Sequence, residues 1–451
     1  MVDESRRRLL GAAMATTGAL ALGERVKAAV PAANGGSVMN LVRPKRETVR
    51  FGFIGVGMRG QELLRLLLAV DGAKVTALCD IHGPSLDKSA QLVLDKTGAK
   101  PATYTGSDHA YRQLVERDDI DAIVIATPWE WHVPMALDTM ESGKDALVEV
   151  PAALTVEDCW KLVEASERHR VNCMMLENCC YGRSELMVLN MVRAGLFGEL
   201  AHAEGAYIHN LWDLFSTTLD VGEGTWRPAW YVHRRANSYP THGLGPIAQY
   251  FDINRGDRFD FLVSMSTFPQ RRKQYSKGAP PRETRLREVR EVIKGMSSSL
   301  IQTALGRTIV LQHDIGTPRP YSRINLVQGD KGIFCGYPDR LAFETEQGGH
   351  EWITDLQPWL DRYDSPLWKQ LETLTSELGG GHGGMDLVMM WRIVYCLRNG
   401  VPLDQNVYDA AAWSVIFDLS EQSMRDRSRP RDFPDFTRGA WKTTPALQVT
   451  L

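Results

Sequence analysis

Short apolar runs alternate with amphipathic helical patterns from residue 49 to about residue 170; beyond that, strand-like runs follow one another with few helices between them. Residues 49–54, 73–79, 121–127 and 146–150 are continuous apolar runs of the length and composition of buried parallel strands. Helical patterns over 62–70, 85–97 and 134–142 separate them, and Thr155, followed by Glu157 and Asp158, caps a further helix to about residue 170. This order predicts a doubly wound α/β sheet with right-handed crossovers. After it, residues 172–176, 201–209, 258–267, 299–311 and 323–333 read as strands and 184–194 as a helix, which predicts an α+β domain with a mostly antiparallel open sheet. The charged stretch 270–294, with its Pro-Pro, reads as a solvated hairpin. The segment 379–384, GGGHGG, breaks the chain before two long helices at 385–399 and 407–425. The expected division is a leader at 1–33, a linker at 34–47, a first domain at 48–170, a second at 171–427 and a proline-rich tail at 428–451.

The first apolar run carries chemistry. Residues 49–60 read VRFGFIGVGMRG, a strand, a glycine turn and then a helical pattern from Gln61. Gly55 permits the tight turn, Gly57 lets a pyrophosphate approach the backbone, and Gly60 lets the helix pack closely on the strand. The first amides of that helix then face the phosphates. Asp80 ends the next strand, twenty residues after Gly60. Its carboxylate can accept hydrogen bonds from both ribose hydroxyls of NAD and would repel the 2′-phosphate of NADP. Together these residues predict a Rossmann domain that binds NAD. Pro128, Trp129, Glu130, Trp131 and His132 follow the strand 121–127 at its carboxyl end, where open α/β sheets hold their ligands.

Composition narrows the partners. A chain of 451 residues that is 43% hydrophobic can build two or three domains with real cores. A net charge of −3 points to neither nucleic acid nor an acidic surface. Seven scattered cysteines with no CxxC pair argue against a disulfide framework and a structural zinc, so no metal is expected; Cys79, Cys173 and Cys396 read as core residues. At the N-terminus, SRRRLL precedes a mildly apolar run at 11–23, too short to span a bilayer stably and followed by small residues suited to cleavage. This fits a twin-arginine signal, implying export of the folded chain by that machinery to the periplasm or beyond. Free NAD is scarce there, so the cofactor would be loaded before export and held tightly.

With these pieces placed, the chain resembles the Gfo/Idh/MocA oxidoreductase superfamily in its Rossmann half, its TP-x-x-x-H turn at 127–132 and its strand end at Glu149-Val150-Pro151. More narrowly, it resembles the family 109 glycoside hydrolases, through GVGMRG, WEWH at 129–132, EVPAA at 149–153, ENCCYGRSELMVLNMVR at 177–193, YPTHGLGP at 239–246 and HGGMDLVMMWRIVYCLRNGVPLD at 382–404. The resemblance implies an NAD-dependent α-N-acetylgalactosaminidase. Val150 departs from the wider superfamily, whose sugar dehydrogenases carry a lysine there to manage the proton of the hydroxyl being oxidised. Valine cannot hold a proton. Thr241 and Gly245 occupy the places of the dehydrogenases' helical Asp and His, with His242 newly present.

The resemblance also implies roles. Met58, Arg59, Asp80, Trp129, Glu130, Trp131, His132, Glu149, Val150 and Asn178 would line NAD, with Met58 and Arg59 acting through their backbone. Tyr207, Arg227, Tyr239, Pro240, Thr241, His242 and Tyr321 would contact the sugar, and Tyr239 would touch NAD as well. From chemistry alone, His242 and Tyr239 are the residues for proton transfer: histidine titrates near neutrality, and a cation beside a tyrosine lowers its phenol toward use as a base. His382 reads as structural beside its glycines, and Trp226 and Trp230 fit core packing or stacking on a sugar. NAD-dependent glycosidases are recognised exceptions to the two-carboxylate rule. Their cycle oxidises C3, removes the C2 proton, eliminates the C1 substituent, adds water and returns the hydride. Two other readings remain: an exported NAD(P)-dependent sugar oxidoreductase of the glucose–fructose oxidoreductase type, which a lysine at 150 would have favoured, and a sugar-binding protein that retains NAD. The superfamily often pairs subunits through its open sheet, so the resemblance also implies a homo-oligomer.

Overall fold

Six short strands, apolar over most of their length, lie side by side in parallel: β1 (Val49–Ile54), β2 (Ala73–Cys79), β3 (Ala102–Tyr104), β4 (Ala122–Ile125), β5 (Asp145–Val148) and β6 (Cys173–Met175). Their spatial order is β3-β2-β1-β4-β5-β6, the doubly wound order, with its switch point between β1 and β4. A computed structural model provides these coordinates and describes residues 36–267, 282–292, 295–345, 349 and 351–451. The expected leader, with its arginines, lies outside the described residues.

The second sheet has eight strands. They are β7 (Leu200–Ile208), β8 (Phe259–Ser266), β9 (Met296–Thr303), β10 (Thr308–Asp314), β11 (Leu326–Gly329), β12 (Gly332–Cys335), β13 (Arg340–Phe343) and β14 (Arg431–Asp432). The order is β13-β12-β11-β7-β10-β9-β8-β14, antiparallel except where β7 meets β10. One apolar core runs through both lobes, from Phe51 and Val124 to Ile309 and Val327, and residues Ala32–Leu451 form one compact unit. All seven cysteines are unpaired and buried. Among the described residues no helix is long and apolar enough to cross a membrane.

Several elements differ from the pattern-based expectation, each for a local reason. Residues 173–175, which follow the change in hydrophobic pattern, are the sixth strand of the parallel sheet. The single strands expected at 299–311 and 323–333 are hairpins, broken at Gly306 and at Asp330–Lys331. The helix expected from Pro134 starts at Trp129, so the tryptophan pair and His132 occupy its first turns, and Pro134 forgoes one helical bond. The helix expected from Gln61 starts at Met58. The helix expected at 407–425 is two, Val407–Ser414 and Ile416–Arg425. The charged stretch expected as a hairpin holds the helix Arg282–Val292 in its described part; residues 268–281 and 293–294 lie outside the described residues.

The glycine turn is built as the fingerprint requires. A Cβ on Gly60 would stand 2.0 Å from the Gly55 carbonyl oxygen, whereas one on Gly57 would meet no atom within 4 Å. Gly60→Ala is therefore expected to lower stability by about 1–3 kcal/mol, read as a lower midpoint in a urea titration. Gly57→Ala should keep the wild-type midpoint to within about 0.5 kcal/mol, since any cost falls on the ligand rather than on the fold.

Candidate active site

A cavity of about 790 Å³ opens at the carboxyl ends of β1 and β4 and is walled by both lobes. Gly57, Asp80, Glu149 and Val150 reach it from the parallel sheet; Tyr207, Arg227, Tyr239 and His242 reach it from the second lobe.

At the first end the helix Met58–Leu67 begins at Gly57 with no side chain capping its first turn, so its amides remain available to an anion. Asp80 is oriented by two backbone donors: its Oδ2 accepts from the Val56 amide at 2.7 Å and its Oδ1 from the His82 amide at 2.8 Å. Met58 is exposed on the rim. Arg59, expected to act through its backbone, uses its side chain. Its Nε donates to Glu149 Oε1 at 2.6 Å, and both terminal nitrogens donate to Asp386 at 2.8 Å. Asn178, also in the cavity wall, donates to the same Asp386 at 2.8 Å. Asp386 is buried, which alone would raise its pKa; the Arg59 guanidinium and the His382 hydrogen bond hold it well below the ordinary carboxylate range.

Trp131 lines the cavity and meets His109 edge-on at 5.8 Å. His132 lies with Nδ1 2.8 Å from the Pro151 carbonyl and Nε2 2.9 Å from that of Thr127. Burial lowers its pKa, and a neutral ring donates to one of these two carbonyls. Glu130 is exposed and lies outside the cavity wall, and Gly60 is buried against Gly55.

The other end is aromatic. Trp129 sits among Trp226, Trp230, Tyr231, Tyr239 and Phe417, with ring centroids 5.4–6.3 Å away. The Arg227 guanidinium lies 5.1 Å from the Trp129 ring and 4.5 Å from that of Tyr239. Arg227 is buried; it donates to Glu223 at 2.5 Å and to the Tyr231 hydroxyl at 3.0 Å, while its Nη2 is buried without a partner. That orphaned donor in a cavity wall is suited to a ligand oxygen.

The helix Thr241–Tyr250 presses on β7 through two glycines: a Cβ on Gly205 would meet the Gly243 carbonyl oxygen at 2.4 Å, and one on Gly243 the Ala206 amide at 2.4 Å. This contact sets His242 beside Tyr207 and Tyr239, at ring separations of 5.5 and 4.8 Å. His242 Nδ1 faces both oxygens of Glu177 at 2.8 and 2.9 Å, which leaves Nε2 for the cavity. Glu177 is fully buried; burial would raise its carboxyl, but His242 and the Cys179 amide bring it below its ordinary value. Burial moves the Tyr239 phenol the opposite way from the sequence expectation. It is raised well above the ordinary tyrosine value, with Arg227 opposing the rise. Burial likewise raises Tyr207. Pro240 and Thr241 are buried at the start of the helix and do not face the cavity. Tyr321 is 40% exposed and stands one ring outside the wall, edge-on to His209 at 5.0 Å.

Three residues escaped the sequence reading. Glu177 stands just past β6, beside Asn178; a carboxylate at the end of a buried parallel strand was the available signal. Asp386 had none beyond lying in a quoted motif, and Glu223 had none at all. Glu177, Cys179 and His242 also bring possible metal-ligand atoms within 4.8 Å of one another. The carboxylate and imidazole already satisfy each other, however, and burial pushes the Cys179 thiol well up, away from the thiolate a metal needs.

Comparison with known proteins agrees with this division of the cavity. Residues 49–177 match the family model described as an oxidoreductase family NAD-binding Rossmann fold, and residues 181–443 match that of the glycosyl hydrolase 109 C-terminal domain. A glycosyl hydrolase family 109 protein of Shewanella sp. strain MR-4 is 53% identical over 98% of both chains. An alpha-N-acetylgalactosaminidase of Shewanella oneidensis is 52% identical, again over 98% of both. Among solved structures, a levoglucosan dehydrogenase in complex with NADH and levoglucosan superposes with a TM-score of 0.63 at 16% identity, covering 86% of this chain and all of its own. The scyllo-inositol dehydrogenase of Lactobacillus casei with bound NAD(H) and scyllo-inositol gives 0.59 at 14%, covering 85% and 99%. These two share the fold. Family models over most of the chain, and relatives more than half identical over its length, assign it: this protein belongs to glycosyl hydrolase family 109.

Proposed function

We propose that this enzyme removes terminal α-linked N-acetylgalactosamine from glycans and that it retains NAD through each cycle. The observation that carries the reading is the buried Glu177–His242 pair, set beside Tyr239 and Arg227 in the cavity whose other end is built for a dinucleotide. The open space over Gly57, the uncapped helix start and the oriented Asp80 carboxylate fit NAD. When bound, NAD supplies a reversible hydride acceptor for C3 of the sugar, which makes the hydrogen on C2 acidic.

The chain's own task is then to move protons. His242, with Nδ1 fixed by Glu177, offers Nε2 as an acceptor, and the imidazolium formed is compensated by a buried carboxylate. Tyr239 is protonated at neutral pH, so it enters the cycle as a donor, and the guanidinium over its ring favours the phenolate it becomes. The unpartnered Arg227 Nη2 would bind the acetamido carbonyl or a ring hydroxyl. Val150, buried in the cavity wall, cannot take the proton that a lysine there would manage in a dehydrogenase. The arginine-rich leader supports export by the twin-arginine route, which a trapped cofactor suits. The exposed Met265, Leu300 and Leu305 on and beside the open sheet support pairing of two copies.

Incubated with an aryl α-N-acetylgalactosaminide and no added cofactor, the purified protein should release the phenol with no lasting NADH absorbance. Stoichiometric NADH build-up without cleavage would overturn the reading. Glu177→Gln is expected to lower kcat by about 10²-fold or more, with an unchanged circular dichroism spectrum. Combined with His242→Ala it should cost little further, because the two act as one unit.

A further inference from the structure

We infer that His382, carried on the glycine-rich segment before the helix Met385–Asn399, is a cationic clamp on the dinucleotide's pyrophosphate, contributed by the sugar-binding lobe. The inference rests on the NAD-binding reading of the cavity and assigns it a residue that the glycine fingerprint does not contain.

The geometry is specific. His382 lines the same cavity as Gly57, Met58 and Arg59. Its Nδ1 donates to Asp386 Oδ2 at 2.7 Å, and that same oxygen accepts from Arg59 Nη1 at 2.8 Å. One carboxylate oxygen therefore tethers the imidazole to the second residue of the phosphate-facing helix. The side chain is 49% exposed although its anchor is fully buried, so Nε2 is free to meet a ligand. The approach is tight: a Cβ on the neighbouring Gly381 would stand 2.5 Å from Asp386 Oδ2 and 2.9 Å from Glu62 Oε1.

The groups that face His382 are Asp386 from its own side, Arg59 and Glu62 from the helix Met58–Leu67, and His209 just past β7, which burial holds below its ordinary value. The hydrogen bond to Asp386 dominates, and the imidazole is held above its ordinary pKa despite burial and Arg59. Glu62 alone would repel a phosphate at this edge; a protonated His382 offsets it. A group raised in this way is fully charged below the ordinary histidine value and loses its charge as pH rises through the higher folded value. The clamp therefore loosens toward alkaline pH.

The test follows release of NADH from the loaded full-length enzyme, read as the decay of bound-NADH fluorescence on mixing with excess NAD, between about pH 6 and about pH 9. Wild type should release faster as pH rises. His382→Gln should release about tenfold faster at the acid end, the worth of one charge-assisted hydrogen bond, and lose the pH dependence. His382→Lys should restore slow release at every pH in the range. A merely structural histidine would make lysine as harmful as glutamine, and that result, or wild-type release and pH profile in His382→Gln, overturns the inference. A wild type that holds no NADH at all would instead remove the parent reading, and the clamp with it.

Discussion

One guanidinium fixes how the two lobes meet at the dinucleotide end. Arg59, on the helix that faces the dinucleotide phosphates, forms two parallel hydrogen bonds with Asp386 of the second lobe and a third with Glu149 at the end of β5. The pair spans 327 residues of sequence. A buried pair of this kind adds little net stability over an apolar contact of equal volume, yet losing one partner strands the other charge at a cost of several kcal/mol. Its value here is geometric. The planar fork accepts one orientation of the carboxylate, so the helix Met385–Asn399 meets the helix Met58–Leu67 in one register, and the cavity between the lobes has fixed walls before any ligand arrives.

That constraint separates two environments. The dinucleotide end is a field of oriented dipoles and charges: bare helix amides, the Asp80 carboxylate and the Asp386 network. The sugar end is dry and aromatic, and burial there pushes titrations apart. His313, stacked between Tyr207 and Tyr231, falls to about 3 through burial, with Arg227 adding to the effect. It is neutral at any working pH and serves as packing. Of the described histidines near that end, only His242 carries a carboxylate on its ring, and that difference is why we propose it for proton transfer.

How much of this the sequence showed depended on how local the cause was. The parallel strands β1, β2, β4 and β5, the glycine turn and Asp80 were legible, because continuous apolar runs and a twenty-residue spacing are properties of adjacent chain; β3, three residues long, left no such run. The helix Glu223–His233 was not, since Gly222, Gly224 and Pro228 read as breakers although tertiary packing carries the helix through them. The hairpins at β9–β10 and β11–β12 merged because their turns are short and lie inside apolar runs. In the site, His242 and Arg227 came through the family resemblance. The Asn178–Asp386 and Glu177–His242 contacts, 208 and 65 residues apart, have no spacing signal at all. The direction of the Tyr239 shift was missed for a related reason: Arg227 was foreseeable as a neighbour, but the burial that outweighs it belongs to the assembled aromatic box.

On the proposed cycle, Val150 and Glu177 together would let a dehydrogenase fold serve hydrolysis. Both stand at the carboxyl ends of adjacent strands, β5 and β6; Val150 lines the cavity, and Glu177, buried behind the wall, meets His242, which does line it. Removing the lysine empties the position that would settle the oxidised hydroxyl's proton. Placing a buried carboxylate one strand over brings a histidine to the wall through the helix Thr241–Tyr250. On that proposal the proton-handling group stands on the helix instead of at the strand end. In the cycle we propose, the hydride would still leave C3 while the base stands elsewhere on the ring, which is the requirement for breaking the bond at C1 instead of releasing a ketone.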